Sequence, residues 1–351
     1  MPSIQKPSVV HPSIAKNEIG LTVRDYEGAM STLCAGCGHD SVTAAIVRAF
    51  YELSTPPHMI AKLSGIGCSS KTPTYFVKGA HGFNSAHGRM PAIVTGAAAA
   101  NRDLTYIGIS GDGDSLSIGL GQLCHAIRRN VNMIYVVENN GVYGLTKGQF
   151  SASADVGSKS KRGEQNLQSP IDPVLLALNL GATFIARSFS GDKAQLVPIL
   201  KAGIKHKGFA MIDVISPCVT FNDHEGSTKS YLHTRKHKLE VLNADFVPIA
   251  SEISADYPEG TTKDVRMHDG SVVRFSKVPK DYDPGDRNAV QTYLQDHQKR
   301  GEVPTGLLYL DTSRGDMHDE AATRSVPMTQ IEYEKLCPGS AALDKLMNDF
   351  R

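Results

Sequence analysis

The sequence predicts an α/β protein built on a doubly wound, mostly parallel sheet with an irregular C-terminal extension. Three observations carry this. Strand-like and helix-like stretches alternate from about residue 40 to 216, the pattern of a parallel sheet wrapped by helices. The apolar run Thr105–Ser110, the helix-length segment Leu116–Asn130 and the apolar run Asn132–Val137 form one strand–helix–strand unit. Acidic and amide side chains sit at the carboxyl ends of its two strands, in Gly111-Asp-Gly-Asp114 and Asn139-Asn140, where open α/β sheets bind ligands.

Each element has a local reason. Val42, Ala45, Ile46, Ala49, Phe50 and Leu53 keep helical spacing, with Asp40 or Ser41 as N-cap. Met59–Leu63 reads as a short strand running into the small-residue loop Ser64–Lys71. His81–Arg89 reads as a glycine-bearing polar loop, and Pro91–Ala100 as a helix opened by its proline. Gln149–Gln168 is polar and without period, a mobile or partner-facing loop beside the site. Asp172–Leu180 and Lys193–His206 read as helices, Thr183–Ser188 and Phe209–Ile215 as strands.

Beyond Thr220 the pattern thins. Tyr231–Leu242 reads as a short helix, His268–Phe275 as a hairpin, Asp286–Arg300 as a helix and Thr305–Leu310 as extended chain. The domain expectation is an N-terminal arm at 1–20, one α/β domain at 21–235 and an extension at 236–351.

Charge is balanced at +1 over 351 residues, with no run of like charge. Nothing favours nucleic acid or an anionic membrane. No apolar stretch has the length of a membrane span, and the first residues lack a secretory core, so a cytoplasmic location is expected. In that setting the six cysteines read as free thiols or metal ligands rather than disulfides.

Two constellations carry chemistry. Asp112 is followed twenty-eight residues later by Asn140. A carboxylate, an amide oxygen and a nearby carbonyl are what Mg²⁺ takes while it holds phosphates; a bare Gly-Asp-Gly turn is the plain alternative. The second is Cys34-Ala-Gly-Cys37 before a helix, with Cys68 and Cys218 on separate loops after strands. Four thiolates suit Zn²⁺ or a [4Fe–4S] cluster, while buried packing of Cys68 and Cys218 is the alternative. Cys124 reads as core, and Cys337 as unrelated to the site. Lys71, His87 and Arg89, in glycine-bearing loops, are cations and proton donors for an anionic ligand.

Gly-Asp-Gly with a later Asn-Asn is the pattern of thiamine diphosphate enzymes. Taken in order, Cys34-Ala-Gly-Cys37-Gly-His39, Gly65-Ile-Gly-Cys68-Ser-Ser-Lys71, His87-Gly-Arg89, Gly111-Asp-Gly-Asp114, Asn139–Thr146 and Cys218 resemble the β subunit of 2-oxoacid:ferredoxin oxidoreductases. The likeness spans about residues 25 to 235. The tail is similar to the longer β subunits associated with 2-oxoglutarate.

The resemblance implies the diphosphate-binding half of a thiamine diphosphate fold. Cys34, Cys37, Cys68 and Cys218 would ligate a [4Fe–4S] cluster; Asp112, Asn140 and the Val142 carbonyl would ligate Mg²⁺. Ile66, Gly67, Cys68, Ser69, His87, Gly113, Asp114, Gly144, Leu145 and Thr146 would contact the cofactor. Lys71, His87 and Arg89 are the catalytic candidates, Lys71 placed for the substrate or coenzyme A. Ala35 departs from the proline many relatives carry, without touching the ligand set. The implied reaction is coenzyme A-dependent oxidative decarboxylation of a 2-oxoacid, 2-oxoglutarate first, with electrons leaving to ferredoxin. An α subunit would supply the pyrimidine-binding half and its glutamate, in an αβ or (αβ)2 assembly. Pyruvate or broad specificity, a non-redox decarboxylase half and a zinc-stabilised scaffold subunit are the alternatives.

Overall fold

The computed structural model describes residues 11–160, 162–224, 227–242, 262–266, 272–276 and 282–350. The elements run α1 (Gly38–Glu52), β1 (Ile60–Ser64), β2 (His81–Asn84), α2 (Met90–Ala100), β3 (Thr105–Gly111), α3 (Leu120–Arg128) and β4 (Met133–Asn139). Then come the short strands β5 (Val142–Tyr143) and β6 (Gln149–Phe150), α4 (Pro173–Leu180), β7 (Phe184–Phe189), α5 (Lys193–Lys205), β8 (Phe209–Ile215), α6 (Tyr231–His237) and β9 (Lys238–Leu242). The extension adds β10 (Thr262–Arg266), β11 (Val272–Ser276), α7 (Arg287–Lys299), β12 (Val303–Leu310), α8 (Met317–Glu320), α9 (Tyr333–Leu336) and α10 (Ser340–Asn348).

One eight-stranded sheet organises the chain, in the order β2-β1-β3-β4-β8-β7-β12-β9. All neighbours pair parallel except β12 with β7, which is antiparallel. Side chains alternate faces along each strand. On β4, Met133, Tyr135 and Val137 join the core under α2, α3, α4 and α7, while Ile134 and Val136 join the core under α1 and α5. Both faces are covered by helices, as the doubly wound reading requires.

Several boundaries differ from expectation. α1 starts at Gly38, with Cys37 as N-cap in place of Asp40 or Ser41. A Cβ on Gly38 would stand 2.6 Å from Ser216 Oγ and 2.8 Å from Ser190 Oγ, so a glycine lets the helix begin that close to the sheet. His81–Asn84 is an edge strand rather than a loop. All four of its residues are exposed, so no apolar alternation marks it. Tyr231–Leu242 splits into α6 and β9, because the second half pairs with β12. Between β3 and α3 the chain makes a π-helical turn over Gly113–Ile118.

The expected hairpin is present as the antiparallel pair β10–β11, its connecting residues 267–271 lying outside the described residues. Of the N-terminal arm, residues 1–10 also lie outside them; Asn17 lies against α1, donating to the Tyr51 carbonyl at 3.1 Å and the Tyr26 hydroxyl at 3.0 Å. The extension serves the main body directly: Val290, Leu294, Leu308 and Tyr309 are buried in the core. Among the described residues, no helix is long and apolar enough to cross a membrane.

Candidate active site

The carboxyl ends of β3 and β4 carry the first part of the site. Asp112 is buried, its Oδ2 accepting from the Gly141 N–H at 2.9 Å, from Ser153 Oγ at 2.7 Å and from the Ser151 hydroxyl. The Asn140 N–H reaches Oδ1 at 3.4 Å. Burial pushes the Asp112 carboxyl up, against the pull of those hydroxyl donors. Asn140 Oδ1 accepts from the Val142 N–H at 3.0 Å, and the Asn140 carbonyl accepts from Asn222 Nδ2 at 2.8 Å. Asp112, Asn140 and Val142 thus share one cradle of hard oxygen and amide groups.

Beside it lies a cavity lined by Ile66, Gly67, Cys68, Ser69, His87, Gly113, Asp114, Gly144, Leu145 and Thr146, together with Asp112, Asn140, Val142, Tyr143, His39 and Glu138. Every residue expected to contact a cofactor lines it. The Tyr143 hydroxyl donates to the Gly113 carbonyl at 2.9 Å, and a Cβ on Gly113 would stand 2.6 Å from the Tyr143 ring. Glycine there lets the ring close the cavity floor.

A second cavity is lined by Cys34, Cys37, Cys68 and Cys218 with Lys71, Val219 and Phe221. Burial pushes the Cys37 thiol up to about 12 and raises Cys68 and Cys218. Bare thiolates are therefore disfavoured there, and a bound cationic group would stabilise them. Among the described residues no three His, Cys, Asp or Glu side chains converge as ligands of one ion.

The two cavities share a wall made of His39, Cys68, Asn140, Gly144 and Leu145. Gly144 lies against two of the sulfurs: a Cβ there would stand 3.5 Å from Cys68 Sγ and 3.7 Å from Cys218 Sγ. Of the catalytic candidates, His87 lines the cofactor-side cavity and Lys71 the cysteine cavity. Arg89 precedes α2 as its N-cap residue, exposed, and lines neither. Cys124 is half-buried on α3, and Cys337 is exposed in the tail.

Sequence reasoning missed four contributors. Ser151 and Ser153, in the polar loop expected to be mobile, are buried against Asp112. His39, in the shared wall, and Glu138, which lines the cofactor-side cavity, are fully buried, with His39 Nδ1 3.7 Å from Glu138 Oε2 and 2.6 Å from Ser216 Oγ. Burial lowers His39 to about 4 and pushes Glu138 well above the usual carboxylate range. Among the described residues, neither Glu138 oxygen has a hydrogen-bond partner. The Ser-x-Ser spacing after Phe150 was the one signal available for the loop.

Comparison with known proteins agrees with this geometry. The domain family described as "Thiamine pyrophosphate enzyme, C-terminal TPP binding domain" matches residues 65–214. A 2-oxoacid:ferredoxin oxidoreductase subunit beta of Saccharolobus solfataricus is 44% identical over 208 residues, 59% of this chain and 68% of that one. The 2-oxoglutarate oxidoreductase subunit KorB of Mycobacterium tuberculosis is 44% identical over 192 residues, 54% of this chain and 51% of that one. Among solved structures, a 2-oxoglutarate:ferredoxin oxidoreductase from Magnetococcus marinus, with 2-oxoglutarate, coenzyme A and succinyl-CoA bound, aligns with a TM-score of 0.71. It is 29% identical, and the alignment covers 89% of this chain and 92% of the other. Motif order, sheet and relatives agree: this chain belongs to the 2-oxoacid:ferredoxin oxidoreductase family, as a β subunit.

Proposed function

We propose that this chain is the diphosphate-binding half of a coenzyme A-dependent 2-oxoacid:ferredoxin oxidoreductase acting on 2-oxoglutarate, giving succinyl-CoA and CO2. The observation that carries the reading is the shared wall. A cavity suited to a metal-held diphosphate and a cavity ringed by four cysteines meet at Cys68 and Gly144. Decarboxylation needs an electron sink, and oxidation needs an acceptor close to it; this arrangement offers both sites on one chain.

Asp112, Asn140 and the Val142 carbonyl would hold Mg²⁺, and Cys34, Cys37, Cys68 and Cys218 a [4Fe–4S] cluster. When bound, thiamine diphosphate supplies the electron sink, and the cluster supplies one-electron acceptance toward ferredoxin. The chain's own residues do the rest. Ser151, Ser153 and the Gly141 N–H orient the Asp112 carboxyl. Gly113 and Tyr143 shape the cavity floor, and Lys71 offers a cation beside the cysteines. An α subunit would bring the pyrimidine-binding half and its glutamate, closing an αβ or (αβ)2 assembly. The choice of 2-oxoglutarate is supported by the names of the Mycobacterium tuberculosis and Magnetococcus marinus relatives.

The test is made on the chain purified without oxygen, with its partner. We expect brown, iron-containing protein that loses colour in Cys68→Ser, and faster turnover of 2-oxoglutarate than of pyruvate. Asp112→Ala should weaken Mg²⁺-dependent thiamine diphosphate binding and leave the iron in place. Colourless protein with cofactor-dependent decarboxylation would mean a non-redox half. One zinc per chain without cofactor binding would mean a scaffold subunit.

A further inference from the structure

The mouth of the cysteine cavity is framed by uncharged chain. Residues 28–39 and 216–222, which bring Cys34, Cys37 and Cys218, hold no Asp, Glu, Lys or Arg. Cys34, Ala35 and Gly36 are exposed. Two large apolar side chains on the same segments are exposed as well, Met30 by 45% and Val219 by 37%. Val219 lines the cavity, and a Cβ on Gly36 would stand 3.7 Å from its Cγ1.

One charged element stands beside this opening, and its charge has a single sign. The Tyr231 hydroxyl ties α6 to the Cys34–Cys37 loop by donating to the Gly36 carbonyl at 3.1 Å. Leu232 follows, 72% exposed, and the last turn carries Arg235 and Lys236, both exposed. Residues 227–237 contain no Asp or Glu. Arg235 lies over the Tyr231 ring at 5.4 Å, and among the described residues neither cation has a carboxylate partner. Asp223, on the approach to α6, accepts from the Tyr231 N–H at 2.9 Å.

Single exposed apolar residues need no explanation, but three on the elements that frame one opening do. An apolar centre with a polar edge is the anatomy of a protein interface, and an edge of one charge selects a partner of the other. We propose that α6 and the Cys34 loop form the docking face for an acidic one-electron carrier protein. Leu232 and Val219 supply the apolar contact, and Arg235 and Lys236 steer the approach. This rests on the functional reading above for the carrier's role and deepens it. Redox encounters bury less than about 1,200 Å² in total, so one short helix and two loops suffice. Charge then sets the encounter rate, and salt weakens it.

The test uses the assembled αβ enzyme, purified without oxygen, and a purified ferredoxin of acidic pI as probe. Lys236→Glu and Arg102→Glu change the net charge equally. Arg102 is exposed just before β3, at the amino end of the parallel strands whose carboxyl ends lead to Cys68 and Cys218. We expect Lys236→Glu to lower kcat/KM for ferredoxin about tenfold at low ionic strength, with most of the loss gone in about 0.3 M salt. Leu232→Ala should raise the Kd for oxidised ferredoxin about fivefold, with little dependence on salt. Turnover with methyl viologen, a small acceptor that needs no protein docking, should be unchanged in both variants. Arg102→Glu should match wild type throughout.

An unchanged Kd for ferredoxin in either Lys236→Glu or Leu232→Ala overturns the proposal. So does an equal loss in Arg102→Glu, which would mean that net charge alone matters. Release of the α subunit by either α6 variant on gel filtration also overturns it, by making this face an αβ contact. If the wild-type enzyme turns over no 2-oxoacid, the functional reading fails, while the Kd comparison still decides the docking face.

Discussion

At the shared wall, burial disfavours the charged forms of both His39 and Glu138, and the two respond oppositely to pH. His39 is held near 4 against 6.5 in free chain, so below 6.5 the unfolded state binds a proton the native state refuses. Its contribution is intact above 6.5 and lost as pH falls toward 4, by up to about 1.4 kcal/mol per unit. Glu138 is raised well above 4.5, so the unfolded chain releases a proton that the native state keeps, and stability falls as pH rises past 4.5. Between 4.5 and 6.5 the two slopes oppose. For the chain without bound groups, His39→Gln should make stability fall more steeply with pH in that window than wild type. Glu138→Gln should make it rise, and should raise stability at pH 7. Urea midpoints across the range check both; parallel curves would refute the assignment. At this scale, the gathering of Asp112 with Asn140 at one cavity and of the four cysteines at another was legible, because carboxylate, amide and thiol groups at strand ends stand out from the apolar runs they follow. Ser151, Ser153 and Glu138 were not. A hydroxyl in a polar loop looks like solvated chain, and Glu138 looks like the polar end of an apolar run.

Elements hold the cradle in place through a buried line of polar contacts. Asp172, which caps α4 through the Val174 and Leu175 N–H groups, takes Arg187 Nη2 at 2.7 Å. Arg187 Nε donates to Asp213 at 2.7 Å, Asp213 accepts from Asn139 Nδ2 at 3.0 Å, and Asn139 Oδ1 lies 2.9 Å from Ser153 Oγ. Ser153 in turn bonds Asp112, so β7, β8, β4 and the end of β3 are tied in sheet order. The two aspartates push the guanidinium above its ordinary value, and Arg187 holds Asp172 below the usual carboxylate range against the opposing effect of burial. Arg187→Met would strand both carboxylates, at a cost of about 3–5 kcal/mol. A lowered thermal midpoint, partly recovered by adding Asp213→Asn, is the expected outcome. The strand–helix alternation was readable because buried parallel strands are continuous apolar runs. The edge strands β2 and β9 were not, because pairing on one side leaves no such run.

At the scale of the whole molecule, the unexpected contribution is from the extension. Thr305–Leu310 was legible as extended chain, but its place between β7 and β9 is set by pairings with residues such as Arg187 and Lys238, far away in sequence, which local pattern does not encode. β12 covers the edge of β7 and buries Leu308, and α7 buries Val290 and Leu294 beside it. Deleting residues 303–351 should expose that edge and give insoluble protein. Deleting 332–351 should leave the thermal midpoint unchanged, since the described residues there are all exposed. Soluble yield and melting curves of the two truncations separate these roles.

Cys34 is exposed, while the other three cysteines of its cavity are half-buried. The cavity therefore opens to solvent on the side of the Cys34 loop, whereas the sheet closes on its own apolar surfaces. In small zinc domains the metal supplies the folding energy, and the chain waits for it. Here neither apolar core contains any of the four cysteines, so closing the sheet does not wait on what the sulfur-lined opening holds.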